Sequence, residues 1–261
     1  MLNPSTHSEV VIEVRGNIAI VTLSRPAKRN ALSDPIIASI QNIFENLPDT
    51  VRAVVLTGQG EHFCAGLDLA ELSERDAGQG LRHSRMWHAA LDRVQYGQVP
   101  VIAALHGAVV GGGLELAAAC HIRVADETTF FALPEGSRGI FVGGGGSVRV
   151  PKLIGASRMA DMMLTGRVHD AASGERIGLA QYLVKAGTAL ERAVELAEKI
   201  AGNAPLTNYA LMHVLPRIAE QPADHGFLTE ALISGITQSA PEAKERVRAF
   251  LQGKAQKVQR S

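Results

Sequence analysis

Three consecutive glycines, Gly111 to Gly113, separate an all-apolar run, Val101 to Leu105, from the helix-forming stretch Leu116 to Cys120, and one acid, Glu115, stands between them. A buried strand, a glycine turn and a helix in that order leave few folds open. Glycines let the backbone approach a ligand closely, and the following helix N-terminus points free N–H groups and partial positive charge at it. A negative charge or a developing oxyanion is stabilised at such a place. The spacing is not the dinucleotide fingerprint G-x-G-x-x-G, and no Lys-Ser or Lys-Thr closes a P-loop. Taken alone, close helix packing also explains the triplet.

Two further segments share this chemistry. Cys64-Ala65-Gly66-Leu67-Asp68 follows a strand and a turn. It is either a strand-to-helix corner or a second source of backbone donors, and two donors aimed at one carbonyl make an oxyanion hole. Gly143 to Gly146 precede SVRVPKLIG, and their N–H groups suit a water or an anion.

The surrounding pattern predicts an α/β fold. Val10–Val14 and Asn17–Leu23, joined at Gly16, form a hairpin. SRPAKRN at 24–30 is a basic loop. Ser33-Asp34-Pro35 starts a helix with Ile36, Ile37, Ile40, Ile43 and Phe44 on its apolar side. Ala53–Leu56 and Val101–Leu105 are all-apolar strands of the kind covered on both faces. Between them, Glu71–Gly80 is a polar, mobile surface segment before a helix over Leu81–Gln95. After Ala156 helix follows helix. The chain therefore divides into a β-rich core, 1–190, and a helical region, 191–261.

Composition narrows the function. The 261 residues carry 26 basic and 26 acidic side chains, which disfavours a nucleic-acid binder relying on bulk charge. Two cysteines, Cys64 and Cys120, make neither a disulfide framework nor a zinc set, and the nine histidines have no metal spacing. A reducing, cytoplasmic setting is expected, with no secretory signal in the first dozen residues. Val101–Cys120 is long enough to span a bilayer, but Glu115, His106 and the glycines argue against it.

Glu115 and Glu135 are the candidate acid and base. A helix out and a strand back, Ile122–Ala125, place both at one end of the layer. A capping or surface role is the alternative for each alone. Glu115 needs a partner, because burying an isolated carboxylate is costly.

Together these segments resemble the crotonase, or enoyl-CoA hydratase, superfamily. The matching stretches are RPAKRNAL at 25–32, FCAGLDL at 63–69, HGAVVGGGLELAAACHIRVA at 106–125, FALPEGSRGIFVGGGGSVRVPKLIG at 131–155 and MLTGR at 163–167. They occur in the family's order over nearly the whole chain. IFVGGGGSVR and NAPLTNYALM look like a subgroup containing methylthioacryloyl-CoA hydratase.

The resemblance implies a spiral of ββα turns with a C-terminal helical region that builds trimers or hexamers. It implies an oxyanion hole from the N–H groups of Leu67 and Gly112, catalytic Glu115 and Glu135, and Gly143 holding the reacting water. Coenzyme A would lie at Lys28, Arg29, Ala65 and Asp68, with Phe250 and Lys254 supplied by a neighbouring subunit. No metal and no separate cofactor are implied, since coenzyme A belongs to the substrate. Three positions depart from the pattern: Ala70 stands for a usual Lys on the nucleotide phosphate, His121 for an Asp, and Val142 for a Pro.

The expected reaction is hydration of a short-chain enoyl-CoA. The alternatives are hydration followed by loss of a β-thiol, thioester hydrolysis, and an RNA-associated, non-catalytic homologue. Met86, Trp87, His88, Phe141 and Val142 are expected to close the acyl pocket. The apolar stripe Phe227, Leu228, Leu232, Ile233 and Ile236 is expected to drive assembly.

Overall fold

The computed structural model describes residues 9–68 and 74–254. Ala70 and the beginning of the polar segment at Glu71 lie outside the described residues. Strands β1 (Val10–Arg15) and β2 (Ile18–Leu23) form the antiparallel hairpin, turning at Gly16 with φ 59°. Helix α1 (Asp34–Glu45) starts beyond Ser33, with Pro35 in its first turn, although the Ser33 hydroxyl makes no capping bond. After β3 (Ala53–Gly58), helix α2 (Ala77–Gln95) begins before the expected Leu81. The reason is a capping box: Asp76 accepts from the Gln79 N–H, and the Gln79 side chain accepts from the Asp76 N–H.

Next come β4 (Val101–Leu105), β5 (Ala108–Val110), α3 (Gly112–Ala119), β6 (Ile122–Asp126), β7 (Phe130–Ala132), α4 (Gly146–Ile154) and α5 (Ala156–Thr165). The first unit ends with β8 (His169–Asp170), α6 (Ala171–Ile177), β9 (Tyr182–Val184) and α7 (Ala189–Ala201). The large sheet has the order β1-β2-β3-β4-β6-β9, and β5-β7-β8 form a small one. Strands β8 and β9 correct the expectation of helices alone after Ala156: β8 pairs with β7 over two residues, and β9 is the longer. It pairs in parallel with β6 over three residues, too short a run for alternation to be visible in the sequence.

The all-apolar strands follow from cover on both faces. Val54, Leu56, Val101, Ala103 and Leu105 join one core with α1, α2 and α3, whereas Ala53, Val55, Ile102 and Ala104 join a second core with α7. Alternate residues of one strand therefore serve opposite layers. Successive turns β4-β5-α3 and β6-β7-α4 place their first strand in the large sheet and their second in the small one. Cys64, beyond β3, bridges Val109 of β5 in the same sense. This is the expected spiral of ββα turns.

The chain divides into two compact units, Met1–Ala201 and Gly202–Ser261. The division falls after α7, which packs on β3, β4 and β6. The second unit contains α8 (Pro205–His213), α9 (Leu215–Ile218), α10 (Ala223–Ser239) and α11 (Pro241–Leu251). On α10, Phe227, Leu228, Leu232 and Ile236 are exposed and Ile233 is half-buried. Among the described residues no helix is long and apolar enough to cross a membrane. Val101–Cys120 is shared instead between β4, β5 and α3.

Candidate active site

The parallel bridge between Cys64 and β5 brings two chain segments to one point. Cys64 N–H donates to Ala108 O at 2.9 Å, and Val110 N–H donates to Cys64 O at 3.1 Å. Past the bridge, Leu32 N–H donates to Gly66 O and Asp68 N–H to Leu32 O, which holds Gly66 and Asp68 and leaves the Leu67 N–H between them. Gly112 opens α3, so its N–H has no intrahelical acceptor. Neither amide is paired among the described residues. A Cβ on Gly112 would lie 3.6 Å from the Leu67 nitrogen and 3.0 Å from Trp87 Cζ3. A side chain at 112 would press on the Trp87 ring, which glycine avoids, and two such donors side by side stabilise an oxyanion.

Glu115 sits in the first turn of α3 and is buried. Its Oε1 accepts the N–H groups of Gly144 at 2.8 Å and Gly146 at 2.7 Å. The glycine run was expected to hold a water or an anion; its Gly144 and Gly146 N–H groups hold the chain's own Glu115 carboxyl. A Cβ on Gly146 would lie 2.8 Å from both Glu115 Cγ and Oε1, so the close approach requires glycine there. Burial raises the Glu115 pKa, while these amides, that of Gly143 and the charge of Arg149 oppose the rise.

Glu135 follows β7 and Pro134, and β7 runs parallel to β5, which leads into α3. That pairing, with Gly111 N–H donating to Ala132 O at 2.9 Å, sets Glu135 beside the glycine turn. Its Oε1 lies 2.8 Å from where a Gly111 Cβ would stand. Glu135 Oε2 is buried and has no hydrogen-bond partner among the described residues. Burial first, and then the Glu115 charge, push its pKa up to about 7, while its own backbone N–H and, less, Arg138 pull the other way.

Both glutamates line one cavity of about 460 Å³, together with Leu67, Gly111, Gly112 and Gly143. Trp87, Phe141 and Val142 wall it as expected, and Ser84, Arg75, Arg138 and Ile140 join them. Met86 and His88 do not line it: Met86 packs on the core, and His88 Nε2 lies 3.3 Å from Ser84 Oγ.

At the rim, Asp68 is buried and its Oδ2 pairs with both Arg25 at 2.7 Å and Lys28 at 3.1 Å. Asp68 thus ties down the basic loop that was expected to meet a nucleotide. Arg29 is exposed with φ 52°, and its carbonyl accepts the Ala65 N–H at 3.0 Å. Phe250, on α11, and Lys254, just past it, are exposed in the second unit. His121 Nδ1 accepts the Val101 N–H at 3.0 Å, which explains a histidine at that position structurally. Cys64 and Cys120 are buried, with thiols pushed up to about 12 by desolvation. Among the described residues no cluster could hold a metal ion.

Sequence reasoning missed Ser84, Arg149 and Arg138. Arg149 donates to Gly144 O at 2.9 Å and is held by Asp92 and Gln95, both at 2.6 Å. The helical spacing of Ser84, Trp87, His88 and Asp92 was the available signal, since it puts them on one face of α2.

The family model for enoyl-CoA hydratase/isomerase matches residues 13–258. Enoyl-CoA hydratase EchA19 of Mycobacterium tuberculosis is 33% identical over 257 residues, covering 96% of both chains. The 2,3-dehydroadipyl-CoA hydratase of Escherichia coli is 33% identical, covering 94% of this chain and 96% of its own. A crystal structure from Rhodopseudomonas palustris, provisionally described as an enoyl-CoA hydratase, is similar with a TM-score of 0.92 and 56% identity, covering 94% of this chain and 95% of its own.

Proposed function

The chain belongs to the enoyl-CoA hydratase/isomerase family, and from that premise we propose that it adds water across the 2,3 double bond of a short-chain enoyl-CoA thioester. The observation that carries this reading is the pair of buried glutamates facing one cavity beside two unpaired N–H groups. The Leu67 and Gly112 amides take the thioester oxygen and stabilise the enolate charge. Glu115, kept ionisable by its backbone donors, accepts a proton from the water that attacks C3, with Gly143 helping to place that water. Glu135 delivers a proton to C2, a role that suits a carboxyl whose pKa is raised to about 7.

Hydration is redox-neutral and the coenzyme A arrives with the substrate, so the reading needs no cofactor. Lys28, Arg29, Ala65 and Asp68 form its rim, and Phe250 and Lys254 complete the rim from a neighbouring subunit of a trimer or hexamer. The exposed face of α10 supports assembly, because a monomer rarely leaves so much apolar surface in water. Trp87, Phe141 and Val142 favour a short acyl chain, since each methylene left outside the wall forgoes about 0.8 kcal/mol. The E. coli relative, by name, acts on 2,3-dehydroadipyl-CoA.

The test is turnover of enoyl-CoA thioesters of increasing length, with free thiol assayed in parallel. The reading expects the highest kcat/KM at crotonyl length and no thiol. Release of the alkyl thiol from a β-thioalkyl acryloyl substrate would mean elimination after hydration, as in the methylthioacryloyl-CoA hydratase subgroup, and release of free coenzyme A from crotonyl-CoA would mean thioester hydrolysis.

A further inference from the structure

We infer that Ser84 is a positioning residue for this reaction: its hydroxyl fixes the Gly143–Gly144 peptide and, through it, the Glu115 carboxylate. The kinetic part of the inference rests on the hydratase reading, and the geometry does not.

Ser84 Oγ donates to Gly143 O at 2.7 Å. The N–H of the same peptide unit, carried by Gly144, donates to Glu115 Oε1 at 2.8 Å. The peptide is trans, so its C=O and N–H point in opposite directions. Ser84 and Glu115 therefore hold one rigid plate from its two sides. The hydroxyl proton is used on Gly143 O, and His88 Nε2, 3.3 Å from the same Oγ, donates to it in the tautomer protonated at Nε2. A chain of donors runs from His88 through Ser84 and the peptide to the carboxylate, and bonds in such chains polarise one another.

The neighbouring contacts explain why a clamp is needed. Glycines lose the most conformational freedom on ordering, and Gly143 to Gly146 have no side chains of their own to fix them. Arg149 holds the next carbonyl, Gly144 O, while the Trp87 ring backs the plate, 3.1 Å from a Cβ on Gly144. Without Ser84 the one hydrogen bond left on the first plate, among the described residues, is to the carboxylate it is meant to orient. Alanine would be the better helix former at this position of α2, and the hydroxyl's shorter contact, 2.7 Å, is to Gly143 O rather than to His88 within the helix. The groups that face Glu115 are the amides of Gly143, Gly144 and Gly146, Arg149 from α4, Glu135 beyond β7, and His88 of α2 through Ser84.

Ser84→Ala separates positioning from folding. The inference expects kcat on crotonyl-CoA to fall about tenfold with KM within about twofold. It expects the acidic limb of the kcat/KM profile to move to higher pH, because the ionised Glu115 loses support, and it expects the thermal midpoint to hold. Ser84→Thr, which keeps the hydroxyl, should recover both kinetic effects. An isotope-edited infrared titration of the Glu115 carboxyl, identified by difference from Glu115→Gln, reads the same coupling without turnover. In Ser84→Ala that titration should move upward. An unmoved titration overturns the positioning role, whatever the activity. A moved titration in a protein that hydrates no enoyl-CoA keeps the positioning role and overturns the hydratase reading alone.

Discussion

Glu115 and Glu135 face one cavity with opposite support: backbone N–H groups meet Glu115 Oε1 at 2.7 and 2.8 Å, whereas Glu135 Oε2 has no partner among the described residues. Donors to a carboxylate favour its charged form, and burial favours the neutral one. In the hydration proposed above, the asymmetry suits Glu115 to the role of base and Glu135 to that of acid. It arises because the glycine run before α4 reaches Glu115 and not Glu135.

Glu115→Gln and Glu135→Gln keep size and most hydrogen bonding while removing proton transfer. Each should lower kcat for crotonyl-CoA by ~10²–10⁴-fold, with acyl-CoA affinity by calorimetry nearly unchanged. Full hydratase activity in Glu135→Gln would defeat the two-carboxylate mechanism.

The pH profile follows from the same pair. Glu135 must be protonated to act as the acid, so kcat/KM for hydration should fall as pH rises through about 7. Arg138 opposes the rise of that pKa, so Arg138→Ala should move the basic limb to higher pH. The move should be small, because Arg138 is exposed and water screens it. A limb that moves downward contradicts the account.

Stability should run against activity at Glu135. Its carboxyl ionises near 4.5 in the unfolded chain and near 7 in the fold, so its contribution is fully present below 4.5 and lost as pH rises through 7. Glu135→Gln should therefore stabilise the protein at pH 8, by on the order of 1–3 kcal/mol, and the gain should fade toward pH 4.5. Urea unfolding at both pH values measures it; equal gains at both would show that the burial of Glu135 is not electrostatically costly.

Gly112→Pro deletes one proposed oxyanion donor at a helix position where proline is tolerated. Losing such a donor costs about 2.7–4 kcal/mol of transition-state stabilisation. The ring would crowd Trp87, the only tryptophan, so its fluorescence reports any displacement. Unchanged fluorescence with normal kcat would remove Gly112 from the mechanism.

Much of the fold was legible because its central strands β3 and β4 are apolar on both faces and its glycine turns are local. Val101–Leu105, the triplet at 111–113 and Glu115 could be read in one short window. What could not be read was pairing at a distance. Glu115 meets Gly144 across 29 residues, and Ser84 meets Gly143 across 59; no local period encodes either contact. The nearness of Leu67 and Gly112 depends on Cys64 bridging Val109, a register set by the spiral rather than by either segment. Asp68 was expected beside a nucleotide, and its pairing with Arg25 and Lys28 was hidden by the same distance.

Incubation of the protein with crotonyl-CoA in water enriched in heavy oxygen, followed by mass spectrometry of the products, tests the central claim most directly. The account predicts 3-hydroxybutyryl-CoA carrying one heavy oxygen at C3, with the thioester intact and the product nearly absent for Glu115→Gln. Free coenzyme A with the label in a carboxylate, or unchanged crotonyl-CoA from the folded wild-type protein, would contradict it.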